Sequence, residues 1–244
     1  MKETIYTIPV VEALDAPGAC PFCAMHDALE QNAINFLMGP SVAYMEDNVR
    51  MATNDIGFCR DHYNKLYETR NRLGLALMLH THFMEICRRL ESLYADKPKK
   101  KNLPKYLDGM NSACYVCDMI EKSYQRYLDT FFQLFAKEEA VREKLRNSNG
   151  CCLPHLSQVV NLAPKKLWNA DLTLFYEILY TVQRKEMIRI EADLDWFVKK
   201  FDYRNHDKPW GESRDASERA IQRLVSTKPA ASKGERGEGA DGKA

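Results

Sequence analysis

Four short stretches carry the residue types that could do chemistry: "ACPFC" at 19–23, "GFCRDH" at 57–62, "ACYVC" at 113–117 and "GCCLPH" at 150–155. They are two copies of one set, a Cys-x-x-Cys followed by a Gly-x-Cys-x-x-His. Cys20 and Cys114 lie 94 positions apart, while Cys59 and Cys152, like His62 and His155, lie 93 apart. The inner gap is 35 residues in the first copy and 34 in the second. Four ligand-type residues recurring within one residue of register mark an internal repeat.

Cys-x-x-Cys puts two thiolates on one side of a tight turn or helix start, and Cys-x-x-His does the same with a thiolate and an imidazole. Three sulfurs and one nitrogen suit tetrahedral zinc in a closed structural site. The candidate ligands are therefore Cys20, Cys23, Cys59, His62, Cys114, Cys117, Cys152 and His155. The expected cofactor is zinc, as two structural ions. Iron fits less well, because clusters usually take all-cysteine ligation. A thioredoxin-like dithiol needs a βαβ context that the chain lacks. Neither CxxC is followed directly by His, which excludes a haem attachment site. Buried, reduced cysteines without a ligand are the plainest alternative.

The gap between half-sites exceeds the about 12–20 residues of a compact zinc finger. In a helical chain it reads as two helices going out and back, with metal pinning the start of the first to the start of the third. Gly57 and Gly150 supply the backbone freedom to aim the second half-site. Spacing leaves the pairing open. Each CxxC can join the CxxH of its own copy or that of the other, or all eight ligands can meet in one binuclear site.

The elements that must position these ligands are helical nearly throughout. From Cys23, apolar residues recur at helical spacing until Gly39-Pro40, and "SVAYMEDNVRMA" follows as a second helix. The stretch from His62 to about Tyr94 reads as one helix, with Leu66, Leu73, Leu77, Phe83, Met84, Leu90 and Leu93 near a 3.6-residue period. The second copy predicts a helix from Cys117 to about Ala136, a short one through "EEAVREKLRN", and helices either side of Pro164, the last spanning about 166–201. Ser213 or Asp215 is placed to cap a helix over Ala216–Val225. "TIYTIPV" reads as a short extended arm, and from Lys228 the small polar tail reads as disorder.

The expected architecture is all-α, with two homologous helical lobes, each holding a CxxC…CxxH metal site, a C-terminal strap and a disordered tail. The boundaries are an N-terminal repeat at 1–96, a basic linker at 97–105, a second repeat at 106–203, a C-terminal segment at 204–226 and the tail at 227–244.

Side features carry less. His80, His82 and Glu85 could form half a catalytic metal site, but the second copy has no equivalent, so buried helix histidines are the simpler reading. His26 reads as a neighbour of the first site rather than a ligand. Cys87 is expected to pack on an apolar helix face; Cys151 beside Cys152 is a candidate resolving thiol. The "FDYRNHDKPWG" stretch gathers Tyr203, Arg204, His206, Asp207 and Trp210, residue types that anchor interfaces, in a segment without helical period.

Composition sets the remaining bounds. At 244 residues, 45% hydrophobic and 28% charged, the chain has enough material for a sizeable core. Its longest apolar run, "LGLALML" at 73–79, is too short to span a bilayer, so no membrane partner is expected. No signal peptide is visible, which leads to the expectation of a cytoplasmic protein whose eight cysteines stay reduced. Net charge is +1, with eight Lys/Arg against thirteen Asp/Glu over 1–96 and five lysines concentrated in "KPKKKNLPK". A broad basic face for nucleic acid is not indicated, and the lysines read as a solvated linker.

"IYTIPV" near the start, the tandem CPxC…GxCxxH sets and "FDYRNHDKPWG" near the end together resemble an uncharacterised bacterial family. It is known as a domain of unknown function and sometimes labelled transporter-associated. The resemblance covers about 1–225 and implies no activity; the transporter label would call for an export signal. The leading expectation is a non-enzymatic scaffold for a protein partner or small ligand. Two rivals are a thiol-based redox enzyme or sensor using the CxxC pairs, and nucleic-acid binding through the 97–105 lysines.

Overall fold

The computed structural model describes residues 4–18, 20–95 and 102–226. Among these there are eleven α-helices, three short 3-10 turns and no strand. The helices are α1 (Thr7–Leu14), α2 (Pro21–Met38), α3 (Asp47–Ile56), α4 (Arg60–Glu68), α5 (Arg72–Ala95), α6 (Asn102–Ser112), α7 (Tyr115–Lys137), α8 (Glu139–Asn147), α9 (Leu153–Lys166), α10 (Asn169–Lys199) and α11 (Ala216–Val225).

Several boundaries differ from the sequence expectation, each for a local reason. "TIYTIPV" is no extended arm. The hydroxyls of Thr4 and Thr7 each accept from the other's backbone N–H, at 3.2 and 2.7 Å, and start α1. Pro9 falls in the first turn of that helix, where a missing N–H is not needed. The expected single helix over 62–94 breaks between α4 and α5, where Arg70 takes φ +64°. Asn71 then accepts from the Gly74 amide at 2.9 Å and restarts the helix. Pro164, expected between two helices, lies inside α9. It leaves the Val160 carbonyl without its helical donor, and the Tyr176 hydroxyl donates to that oxygen at 3.3 Å. The last residues of the expected basic linker, Asn102 to Lys105, belong to α6. Residues 97–101 and the 227–244 tail lie outside the described residues.

The chain forms two compact units, and they do not follow the two copies of the repeat. The first comprises Met1–Ala24 with Asp129–Ala244, the second Met25–Leu128. The boundaries of these units fall inside α2 and α7.

In the first unit the 31-residue α10 is the central element, with α8, α9 and α11 packed on it and α1 on α8. Its core is a cluster of phenylalanines, Phe22, Phe131, Phe132, Phe135 and Phe175, all essentially inaccessible. Their rings meet edge to face, for example Phe135 and Phe175 at 5.3 Å and 90° and Phe22 and Phe131 at 5.1 Å and 84°. Such pairs contribute about 0.5–1.5 kcal/mol each beyond the burial of their area. In the second unit α3 packs along α5, and α4 and α6 contact the same helix. Met25, Leu29, Leu37, Val49, Leu66 and Met78 fill its interior.

Candidate metal centres

Each of the four half-sites is a helix N-terminus. Cys20 directly precedes α2 and Cys23 sits in its first turn; Cys114 and Cys117 stand in the same relation to α7. Cys59 and Cys152 are the N-cap residues of α4 and α9, with nearly the same extended backbone (φ −71°, ψ 168° and φ −70°, ψ 158°). His62 and His155 follow one turn in. The positive end of a helix dipole therefore faces every sulfur pair, an environment that favours thiolate.

The glycines ahead of each Cys-x-x-His are required twice over. Gly57 and Gly150 take φ +70° and +71°, a region that costs residues with a side chain. A Cβ at Gly57 would also lie 2.9 Å from His82 Nε2, and one at Gly150 2.9 Å from Gln183 Oε1. Gln183 in turn accepts from the Cys151 amide and donates to the Cys151 carbonyl, both at 2.9 Å.

The half-sites combine across the two copies. Cys20, Cys23, Cys152 and His155 form one cluster and Cys59, His62, Cys114 and Cys117 the other, with all ligand atoms of a cluster within 4.8 Å of one another. The expectation that each CxxC would join the CxxH of its own copy is corrected here. Helix lengths do not suit the expected out-and-back pairs: the 18-residue α2, about 27 Å, is followed by the 10-residue α3, about 15 Å, and the 23-residue α7, about 34 Å, by the 9-residue α8, about 13 Å. Each cluster lies within one compact unit, the first in Met1–Ala24 with Asp129–Ala244, the second in Met25–Leu128.

The geometry fits one tetrahedral cation per cluster. In the first, His155 Nδ1 is 3.1, 3.3 and 3.7 Å from the sulfurs of Cys152, Cys23 and Cys20, and Cys23 and Cys152 are 3.6 Å apart. In the second, His62 Nδ1 is 3.2 Å from Cys59 and Cys114 and 3.4 Å from Cys117. Ligands about 2.0–2.3 Å from a tetrahedral zinc lie about 3.6 Å from one another, so these are edges of a slightly contracted tetrahedron. A backbone bond from Tyr115 N–H to Gly57 C=O, 3.0 Å, ties the two half-sites of the second cluster.

Crowding of this kind leaves the thiols unable to ionise together. Cys117 is exposed, but the partial desolvation of its sulfur by the neighbouring groups pushes the thiol up to about 12, and its hydrogen bond to Cys114 adds to the push. Burial works against ionisation of Cys114 as well, yet the hydrogen bond from His62 draws it down to about 6. At the first cluster burial opposes protonation of His155, but the thiolates of Cys152 and Cys20 lift it to about 9. A dication at the centre removes this conflict, which is the usual coupling between metal and deprotonated ligands.

Residues not singled out from sequence complete the surroundings. His62 Nε2 donates to Glu30 Oε1 at 3.0 Å, and Lys65 bonds the other carboxylate oxygen of Glu30. Burial raises the Glu30 carboxyl, but Lys65 and His62 outweigh it and hold the group below its usual range. With Nδ1 turned to the sulfurs, this is the carboxylate–histidine arrangement that orients metal-bound imidazoles. At the first cluster, Ser226 Oγ is 2.8 Å from Cys152 Sγ. Arg223, buried in α11, donates to the carbonyls of Gly18 and Gly150 at 3.2 and 3.1 Å and to Glu186 at 3.1 Å.

The remaining candidates fall as follows. His82 is buried and its Nδ1–H donates to the Asn54 carbonyl at 2.7 Å, while Glu85 pairs with Arg88 and Arg89. Among the described residues no metal-type cluster includes them, nor His26, whose ring meets Tyr124 edge-on at 5.9 Å. Cys87, expected to pack, is exposed. Cys151 is fully buried. The "FDYRNHDKPWG" stretch folds around Lys200, whose Nζ donates to the carbonyls of Asn205, His206 and Lys208 at 2.7, 2.7 and 2.6 Å. Trp210 is half-buried, tilted against Phe197 at 5.7 Å and edge-on to Phe201 at 6.4 Å, whereas Tyr203, Arg204, His206 and Asp207 are exposed. No described helix is long and apolar enough to cross a membrane.

The chain belongs to a family of unknown function (DUF6062), whose model matches residues 1–231. No curated protein and no solved structure matches it.

Proposed function

We propose that this chain is a helical scaffold built on two structural zinc ions, one in each compact unit, each held by three cysteines and one histidine drawn from both copies of the repeat. The observation that carries the reading is the convergence of four ligand atoms within 4.8 Å at each site, with histidine Nδ1 at 3.1–3.7 Å from three sulfurs. Zinc is preferred to iron because one imidazole with three thiolates is a common zinc set, while clusters favour four cysteines. In this reading Cys20, Cys23, Cys152 and His155 bind one ion and Cys59, His62, Cys114 and Cys117 the other. Thiolate ligation suits a reducing compartment, hence the cytoplasm.

The scaffold presents its exposed recognition residues, Tyr203, Arg204, His206 and Asp207, on a backbone that Lys200 holds by three hydrogen bonds. A protein partner or small ligand is the expected target, with Trp210 supporting the segment from below.

Metal content per chain, measured by elemental mass spectrometry, tests this directly. The wild-type protein is expected to carry about two zinc ions. The double variant Cys20→Ser/Cys152→Ser is expected to lose about one, because both residues serve the same centre. Cys20→Ser/Cys59→Ser is expected to lose both. The reverse pattern would establish pairing within each copy, and absence of zinc from the wild type would end the scaffold reading.

A further inference from the structure

The two ligand sets are alike in chemistry and unlike in burial. In the first unit Cys20, Cys23 and Cys152 are 1%, 5% and 0% exposed. An additional donor covers one of these sulfurs: the Ser226 hydroxyl lies 2.8 Å from Cys152. In the second unit Cys114 is buried at 4%, but Cys59 is half-buried and Cys117 is exposed. Cys117 stands in the first turn of α7, one turn after Cys114 and on the same helix face.

Reactivity at a thiolate demands access by the electrophile, and thiolates that accept hydrogen bonds inside a packed shell are shielded from it. We infer that the Cys59–His62–Cys114–Cys117 set is a peroxide-sensitive site, in which oxidation closes a Cys114–Cys117 disulfide and expels the zinc ion of this centre, while the first-unit centre keeps its own. The inference rests on the two-centre reading above and adds a modification chemistry to one of the two.

The step balances with a hydroperoxide as the oxidant. The Cys117 thiolate attacks one peroxide oxygen, the O–O bond breaks, and the leaving hydroxide takes a proton to become water. Cys117 is then a sulfenic acid. The Cys114 thiolate attacks its sulfur, the S–S bond forms, and the second hydroxide leaves and is likewise protonated. Two thiolates supply two electrons, and hydrogen peroxide with two protons becomes two waters. The centre is left with Cys59 and His62, too few donors to retain a tetrahedral ion. Loss of the ion leaves the backbone bond from Tyr115 N–H to Gly57 C=O to hold the two half-sites together.

The experiment uses the full chain with its zinc content measured beforehand. Hydrogen peroxide is added in the presence of a chromogenic zinc chelator, and thiols are then mapped by alkylation and peptide mass spectrometry. The expected result is one zinc equivalent released at least tenfold faster than the second. The fast phase should coincide with a Cys114–Cys117 disulfide while Cys20, Cys23 and Cys152 remain reduced. The variant Cys117→Asp, which keeps a metal-ligating group but no sulfur, should lose the fast phase. Two equivalents leaving at one rate, or the first-unit centre emptying first, overturns this inference alone. A starting content below two equivalents overturns the two-centre reading and this inference with it.

Discussion

Gly150 and Gly18 occupy similar left-handed backbone, φ +71° and +72°, in the loops that lead into the two half-sites of the first-unit cluster. They differ in what surrounds them. A Cβ at Gly18 meets nothing within 4 Å, whereas one at Gly150 meets Gln183 Oε1 at 2.9 Å. Gly18→Ala is therefore expected to cost only the backbone penalty, about 1 kcal/mol. Gly150→Ala should cost about 3 kcal/mol, because the Gln183 amide must also give up its two bonds to Cys151. Urea unfolding of the zinc-loaded variants separates the two; equal losses would mean that the Gln183 seat carries no weight. At the other cluster, Glu30→Gln keeps an acceptor for His62 Nε2 but removes the charge that polarises it. Zinc affinity of that centre should fall about tenfold in a chelator competition, with the first-unit centre unchanged. At this scale the eight residues that meet in the two clusters were legible, since Cys-x-x-Cys and Cys-x-x-His announce themselves by spacing. Glu30 was not, because a carboxylate in the middle of α2 looks like any solvent-facing helix residue until the fold brings His62 to it.

Among the elements, α11 is the one whose bounds the sequence placed and whose purpose it concealed. Ala216–Val225 was expected as a helix and is one, although neither Ser213 nor Asp215 caps it: the Ser213 hydroxyl donates to the Trp210 carbonyl and the Asp215 carboxylate accepts from Arg219. Nothing local indicates that Arg223 turns inward, 4% exposed, to reach the loop carbonyls ahead of Cys20 and Cys152 and the buried carboxylate of Glu186. These partners lie 37 to 205 positions away, beyond any pattern of helical period. The side chain acts as a bolt across the two loops that lead into the first cluster. Arg223→Met should destabilise the first unit by about 3 kcal/mol, since it strips two carbonyls and one side of a buried carboxylate of their donor. Hydrogen exchange is expected to show α11 and the 150–155 loop losing protection together, with α3 and α5 unaffected. Retained protection in the loop would make Arg223 a passive anchor of α11. The extended arm expected at the N-terminus failed for a local reason instead. Ile5, Ile8 and Val10 have strand-like propensity, and two threonine hydroxyls overrode it by bonding each other's backbone.

For the whole molecule, the repeat in the sequence and the compact units of the fold are different divisions of one chain. The first unit is built from both ends and the second from the middle. Helix lengths held part of the information: an out-and-back pair within one copy calls for helices of similar length, and an 18-residue helix is followed here by a 10-residue one. The periodicity of "AMHDALEQNAINFLM" already hinted at the longer of the two. A fragment of residues 25–128 is accordingly expected to bind one zinc ion and give a cooperative thermal transition, whereas a fragment ending at residue 96 should hold none tightly. Zinc retained by the shorter piece would restore the repeat as the folding unit. There is a consequence for the order in which the chain is made. His62 meets its partner Cys114 after 52 further residues, but Cys23 waits 129 for Cys152. At about 5–20 residues per second, the first CxxC stays open for roughly 6–26 seconds of synthesis, during which the middle of the chain can already have closed around its own ion. The earliest thiols to leave the ribosome are the last to be sealed.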